Sequence, residues 1–201
     1  DAYSRVTPYV QGAPDQTVLH HLREAAIEFC SRTLIWRATL AAVVTVVDHG
    51  TYTLPLLDES ALVKILRYSF DGQDDRAVVS PDTGLDLLDR GDSADAVWTD
   101  DLVTFKVSPV PATAAKEMIL TVALKPSQDA LEIPAFLFEH HIRSIAAGAI
   151  STISAMPRQP WSDLKQADIQ AGVFKNAIDK ATFNVGKGHG RSQQRVRAHS
   201  F

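Results

Sequence analysis

The chain has 201 residues, 45% of them apolar and 22% charged, with a formal net charge of −4. This composition excludes collagen-like and wholly disordered chains and leaves enough length to bury a sizeable core. No apolar run reaches the roughly 18–20 residues of a membrane helix and no leader pattern opens the chain, so a soluble, intracellular protein is expected.

Pro14-Asp15 opens an amphipathic helix expected to run to about Arg37, with Val18, Leu22, Ala25, Phe29 and Trp36 on one stripe. Leu19, Ala26 and Cys30 widen that face. Cys30 is the chain's one cysteine, which excludes an internal disulfide, and it reads as a small core residue. The pattern then turns to β. Residues 42–47 are valine-rich, Asp48-His49-Gly50 reads as a turn, and residues 51–54 alternate, so a hairpin is expected. A strand follows at 62–70, then short pieces at 77–79 and 85–88. Residues 96–98 and 102–107 flank Thr99-Asp100-Asp101 as a second hairpin, and 117–124 form an apolar strand ended by Lys125-Pro126-Ser127.

Pro134 starts the next helix, with Phe138, Ile142, Ile145, Ala149, Ile153 and Met156 at steps of three and four. Beside that stripe lies Ala146-Ala147-Gly148-Ala149, whose small side chains allow another backbone to approach closely. After a break from Pro157 to Pro160, Ser162 is the expected N-cap of a third helix, with Asp163 in its first turn. Its stripe is Leu164, Ala167, Ala171, Phe174, Ile178 and Ala181. Gly186, Gly188 and Gly190 then lead into a polar, basic tail that is expected to be mobile. The class is therefore α+β: a long N-terminal amphipathic helix (14–37), a central antiparallel β region with loops (40–126), two C-terminal helices (134–184) and a flexible basic tail. Residues 1–186 are expected to form one domain and residues 187–201 the tail.

Charge is strongly split along the chain. Between positions 71 and 101 lie ten acids, Asp71, Asp74, Asp75, Asp82, Asp86, Asp89, Asp92, Asp95, Asp100 and Asp101, against Arg76 and Arg90, a net of −8. Residues 187–201 hold Lys187, Arg191, Arg195 and Arg197 without an acid, a net of +4. Such asymmetry points to oriented contact with charged surfaces.

Catalytic and metal-binding patterns are sparse. His20-His21 and His140-His141 are adjacent pairs, and helical neighbours point about 100° apart, so a pair does not grip one metal as histidines at i and i+4 do. Residues 186–190 lack the Ser/Thr and the following helix of a phosphate loop. The acidic segment does not match the ligand order of an EF-hand and reads as a solvated loop. No catalytic residue, cofactor or metal site is assigned. The basic tail lacks the interleaved aromatics of a stacking platform, and an acidic body repels a duplex.

Two stretches carry a family resemblance. The first is Pro8-Tyr9-Val10-Gln11-Gly12-Ala13-Pro14 leading into Leu22-Arg23-Glu24-Ala25-Ala26-Ile27-Glu28-Phe29-Cys30 and Thr33-Leu34-Ile35-Trp36. The second is Ile133-Pro134-Ala135-Phe136-Leu137 through His140-His141, Ala146-Ala147-Gly148-Ala149, Met156-Pro157, Pro160-Trp161-Ser162 and Phe174. Together they resemble the head-to-tail adaptor (connector) proteins of short-tailed bacteriophages and prophages, the tail tubular protein A-like group. The resemblance covers roughly half the chain and is weakest in the acidic middle.

The resemblance implies a non-enzymatic structural protein of the virion head–tail junction, assembled in the host cytoplasm. In the family a homo-oligomeric ring, typically dodecameric, docks beneath the portal, extends the DNA channel and receives the next tail (nozzle) protein. Duplex DNA passes through without specific binding, and no membrane is involved. On this reading Lys187, Arg191, Arg195 and Arg197 dock on a neighbour or the portal. Asp71, Asp74, Asp75, Asp82, Asp86, Asp89, Asp92, Asp100 and Asp101 form a channel- or tail-facing surface, and Ala146, Ala147, Gly148 and Ala149 pack subunits together. The alternatives are a small DNA-binding or packaging accessory acting through the basic tail, and a hydrolase built on a histidine pair and the acidic loop.

Overall fold

The computed structural model describes residues 2–72, 76–78 and 96–187. A short helix, α1 (Tyr3–Val6), precedes α2 (Asp15–Thr33). The Tyr3 hydroxyl donates to Asp15 Oδ1 and ties the two together. Pro14, extended at φ −60° and ψ 141°, starts α2, and its carbonyl accepts from the Val18 N–H. Leu34 ends it in the left-handed region at φ 52°, its N–H bonded to the Cys30 carbonyl. The helix thus stops short of the expected Arg37. Trp36 is partly buried for another reason: beyond the helix, it packs against both hydrophobic cores of the molecule.

The strands are β1 (Arg37–Thr39), β2 (Val43–Val44), β3 (Thr51–Thr53), β4 (Ser60–Phe70), β5 (Arg76–Ala77), β6 (Ala96–Trp98), β7 (Thr104–Ser108) and β8 (Glu117–Pro126). Every ladder among them is antiparallel. β8 is the spine of the larger sheet. On one side it pairs with β4; on the other it pairs with β1 (Ala38 opposite Val122) and then β2 (Val43 opposite Met118), with β5 at the far edge of β4. The smaller sheet runs β3–β7–β6.

The hairpin expected at 42–54 does not form. A turn forms one residue earlier, at Val47 and Asp48, with Asp48 at φ 56° and the His49 N–H on the Val46 carbonyl, but it separates β2 and β3, which enter different sheets. The second expected hairpin forms as β6–β7, with Val97 opposite Val107, and its return strand begins at Thr104 rather than 102. β4 has register shifts between Leu62 and Lys64 and between Ile65 and Arg67. Two bulges explain why Leu62, Ile65 and Tyr68 are buried at steps of three instead of two. The expected piece at 85–88 lies outside the described residues, as does Val79.

The two sheets close over one core. Leu62, Ile65, Tyr68, Met118, Leu120, Val122 and Leu124 of the larger sheet meet Tyr52, Val97, Phe105 and Val107 of the smaller. The Tyr52 and Phe105 rings stack at 5.5 Å. On β8 the residues at 118, 120, 122 and 124 point inward, and Ala123 on the opposite phase is also buried where α2 packs on this strand.

The second core is helical. It joins α2 to α3 (Ala135–Ser154) and α4 (Leu164–Lys187). In α3 the buried residue of the first turns is Leu137, while Phe138 is 39% exposed, and Met156 lies past the helix end. α4 is capped by Asp163 rather than Ser162: the Asp163 Oδ1 accepts from the Gln166 N–H at 3.0 Å. Of its expected stripe, Ala167, Phe174, Ile178 and Ala181 are buried, whereas Leu164 and Ala171 face solvent. α4 continues through Gly186 to Lys187, so Lys187 belongs to the helix and not to the tail.

Candidate interaction surfaces

The small residues of α3 do not form a surface. Ala146, Ala147 and Ala149 are buried, and a Cβ on Gly148 would lie 3.0 Å from Ala25 Cβ and 3.0 Å from Phe174 Cε2. The close approach that these residues permit is spent within the chain, where α2 and α4 cross α3. The expectation that they pack neighbouring subunits is therefore corrected.

Three acidic residues of the expected surface lie among the described residues, and each is engaged locally. Asp71 sits at φ 51° in the turn after β4, with its N–H on the Glu117 carbonyl and its carboxylate 3.3 Å from Lys116 Nζ. Asp100 accepts from Lys106 Nζ at 2.6 Å, and that contact holds the Lys106 ammonium pKa above its usual value. Asp101 shapes the β6–β7 turn. Its Oδ1 accepts from the Val103 and Thr104 N–H groups at 2.9 and 2.7 Å, and its Oδ2 from the Thr104 hydroxyl at 2.9 Å. The Thr104 and Val103 N–H bonds, with the Thr104 hydroxyl, lower its pKa to about 2. Asp74, Asp75, Asp82, Asp86, Asp89, Asp92 and Asp95 lie outside the described residues.

Of the basic set, Lys187 lies at the end of α4 with Nζ 4.0 Å from the Phe183 ring centroid. Arg191, Arg195 and Arg197 lie outside the described residues. The histidine pairs lie on helices, His20 and His140 exposed and His21 and His141 half-buried, with the His141 ring 5.0 Å from Phe29. Burial lowers the pKa of His21, with His20 adding to the effect and Glu24 opposing it. No cluster of three or more His, Cys, Asp or Glu side chains able to hold a metal occurs among the described residues. No helix among them is long and apolar enough to cross a membrane. Cys30 is fully buried and desolvation raises its pKa to about 12, so the thiol is protonated and shielded.

Two features escaped the sequence reading. The first is a row of exposed apolar side chains on the outer side of α4. Ile169, Val173 and Phe183 are 52%, 47% and 59% exposed. At 100° per residue they fall within one sector, opposite that of Ala167, Phe174, Ile178 and Ala181, where they alternate with the exposed Lys165, Asn176 and Lys180. The i, i+4, i+14 spacing carries this signal, masked by the stronger core stripe on the same helix. The second is an open cleft of about 630 Å³ where the α3 N-terminus meets the turn before β4. Trp36 and Phe138 form apolar walls, and Asp58, Glu59, Glu132 and Glu139 supply carboxylates. Glu59, at φ 55°, draws the two loops together: its Oε2 accepts from the Glu132 N–H at 3.0 Å and its carbonyl from the Ser127 N–H at 2.9 Å. No protein-family model and no curated protein matches the chain.

Proposed function

We propose that the chain is a ring-forming head-to-tail adaptor of a short-tailed phage or prophage, docking on a portal and receiving a tail protein. The motifs around residues 8–36 and 133–174 suggest the family. The observation that carries self-association is on α4: one face is buried in the helical core, and Ile169, Val173 and Phe183 are exposed on the other, among Lys165, Asn176 and Lys180. Burying these three side chains, with the lysines at the rim, is favoured where a second surface covers them. In this reading a neighbouring copy provides that surface, α2 is the family's long N-terminal helix, and Arg191, Arg195 and Arg197 belong to its docking tail. The fold class supports the reading only broadly, since α+β architectures host many functions.

The test is electron microscopy of the purified protein, alone and mixed with the portal. Closed rings that disappear in an Ile169→Lys/Val173→Lys variant of unchanged melting temperature support the adaptor. A monomer under all conditions, without portal affinity, contradicts it. Duplex binding that is lost when Arg191, Arg195 and Arg197 are neutralised would favour the DNA-binding accessory instead.

A further inference from the structure

We infer that the cleft walled by Trp36 and Phe138 holds the basic C-terminal segment of its own chain, residues 188–201. The inference concerns the free chain, before the tail docks on any partner, and does not depend on the adaptor reading. Three observations meet here. The first is charge: Asp58, Glu59, Glu132 and Glu139 line the cleft, and no cationic side chain among the described residues lines it with them. Residues 188–201 hold Arg191, Arg195 and Arg197 without an acid. The second is chemistry, because guanidinium groups pair with carboxylates through two parallel hydrogen bonds and stack on aromatic faces, and this cleft offers both.

The third is geometry. Gly148 of α3 lies against Phe174 of α4, and nearer the connection the Asp163 N–H bonds to the Ser154 carbonyl, so the two helices are antiparallel. From that contact, α3 runs back to Ala135 and α4 runs on to Lys187 over the same number of residues, about 20 Å at 1.5 Å each. Lys187 therefore ends level with the α3 N-terminus, which forms one side of the cleft. The 14 residues beyond it, extended, reach about 48 Å. The segment therefore reaches the full cleft from where it leaves α4.

The experiment is limited trypsin digestion of the full chain, following cleavage after Arg191, Arg195 and Arg197 by mass spectrometry, with the free 188–201 peptide as reference at each salt concentration. At low salt, cleavage in the intact chain should be at least several-fold slower than in the peptide. Protection should vanish at high salt and fall about tenfold in Glu132→Lys/Glu139→Lys, two exposed positions. Phe138→Ala, which alters the wall without changing charge, should also weaken it, and Asp168→Lys at the opposite end of α4 should not. Cleavage as fast as in the free peptide, or protection untouched by the cleft variants, overturns the inference. Protection that falls on dilution overturns it too, because a neighbouring copy's cleft would then be the one occupied.

Discussion

Gly148→Ala tests how the helical core is built, since two opposing effects of similar size meet at one atom. Replacing a mid-helix glycine by alanine favours the helix by about 1 kcal/mol. Here the added Cβ would stand 3.0 Å from Ala25 Cβ and 3.0 and 3.1 Å from the Phe174 ring. Contacts this short are tighter than ordinary carbon contacts, so α2 and α4 must each give by a few tenths of an ångström. Neither obstacle is the tip of a flexible side chain: Ala25 Cβ is fixed to the α2 backbone, and the Phe174 ring is held against Phe29 with centroids 6.2 Å apart. Overpacking of this kind costs about 1–3 kcal/mol, so the net change is a loss of about 1 kcal/mol, lowering Tm by about 2–4 °C in a chain of this size. Thermal unfolding followed by circular dichroism measures it. The double variant Ala25→Gly/Gly148→Ala should show favourable coupling of at least about 0.5 kcal/mol, because one of the two obstructions is gone. A Gly148→Ala protein more stable than the parent, with no coupling to position 25, would refute the packing argument.

Two further expectations concern single groups. Cys30 should resist thiol reagents at pH 8 in the native protein and react on unfolding. Its pKa is raised from 9.0 to about 12 by burial. The stability due to its neutral thiol is therefore complete below pH 9 and lost between about pH 9 and 12, and Cys30→Ala should flatten that part of the pH–stability curve. Tyr52→Phe should destabilise the protein by about 1–2 kcal/mol in denaturant titration, since the hydroxyl donates to the His49 carbonyl at 2.6 Å and accepts from the Val46 N–H at 3.2 Å. No change in the midpoint would show that the 46–49 turn is held by other contacts.

What could be read from sequence follows from which interactions are local. The helices at 15–33, 135–154 and 164–187 and the strands at 60–70 and 117–126 carry strong periodicity of their own and were legible to within a few residues. Pairing was not. The valines before Asp48 read as a hairpin arm because β-branched composition marks a strand without naming its partner, and β8, more than seventy residues away in sequence, takes β2. The end of α2 was misjudged because Leu34 adopts a left-handed cap usually left to glycine, while Trp36 continues the apolar period for reasons of tertiary packing. The small residues of α3 were recognised as a close-approach surface, but sequence does not say whether the approaching backbone belongs to the same chain. The cleft was illegible for a related reason: Trp36, Asp58, Glu132 and Phe138 come together only when the two cores are assembled.

The central claim is that the outer face of α4 is covered by a second copy of the chain. Mass photometry of the parent beside Ile169→Lys/Val173→Lys, each also imaged by negative-stain microscopy, addresses it most directly. The account predicts closed oligomers for the parent and monomers of unchanged Tm for the variant; identical masses for both proteins would contradict it.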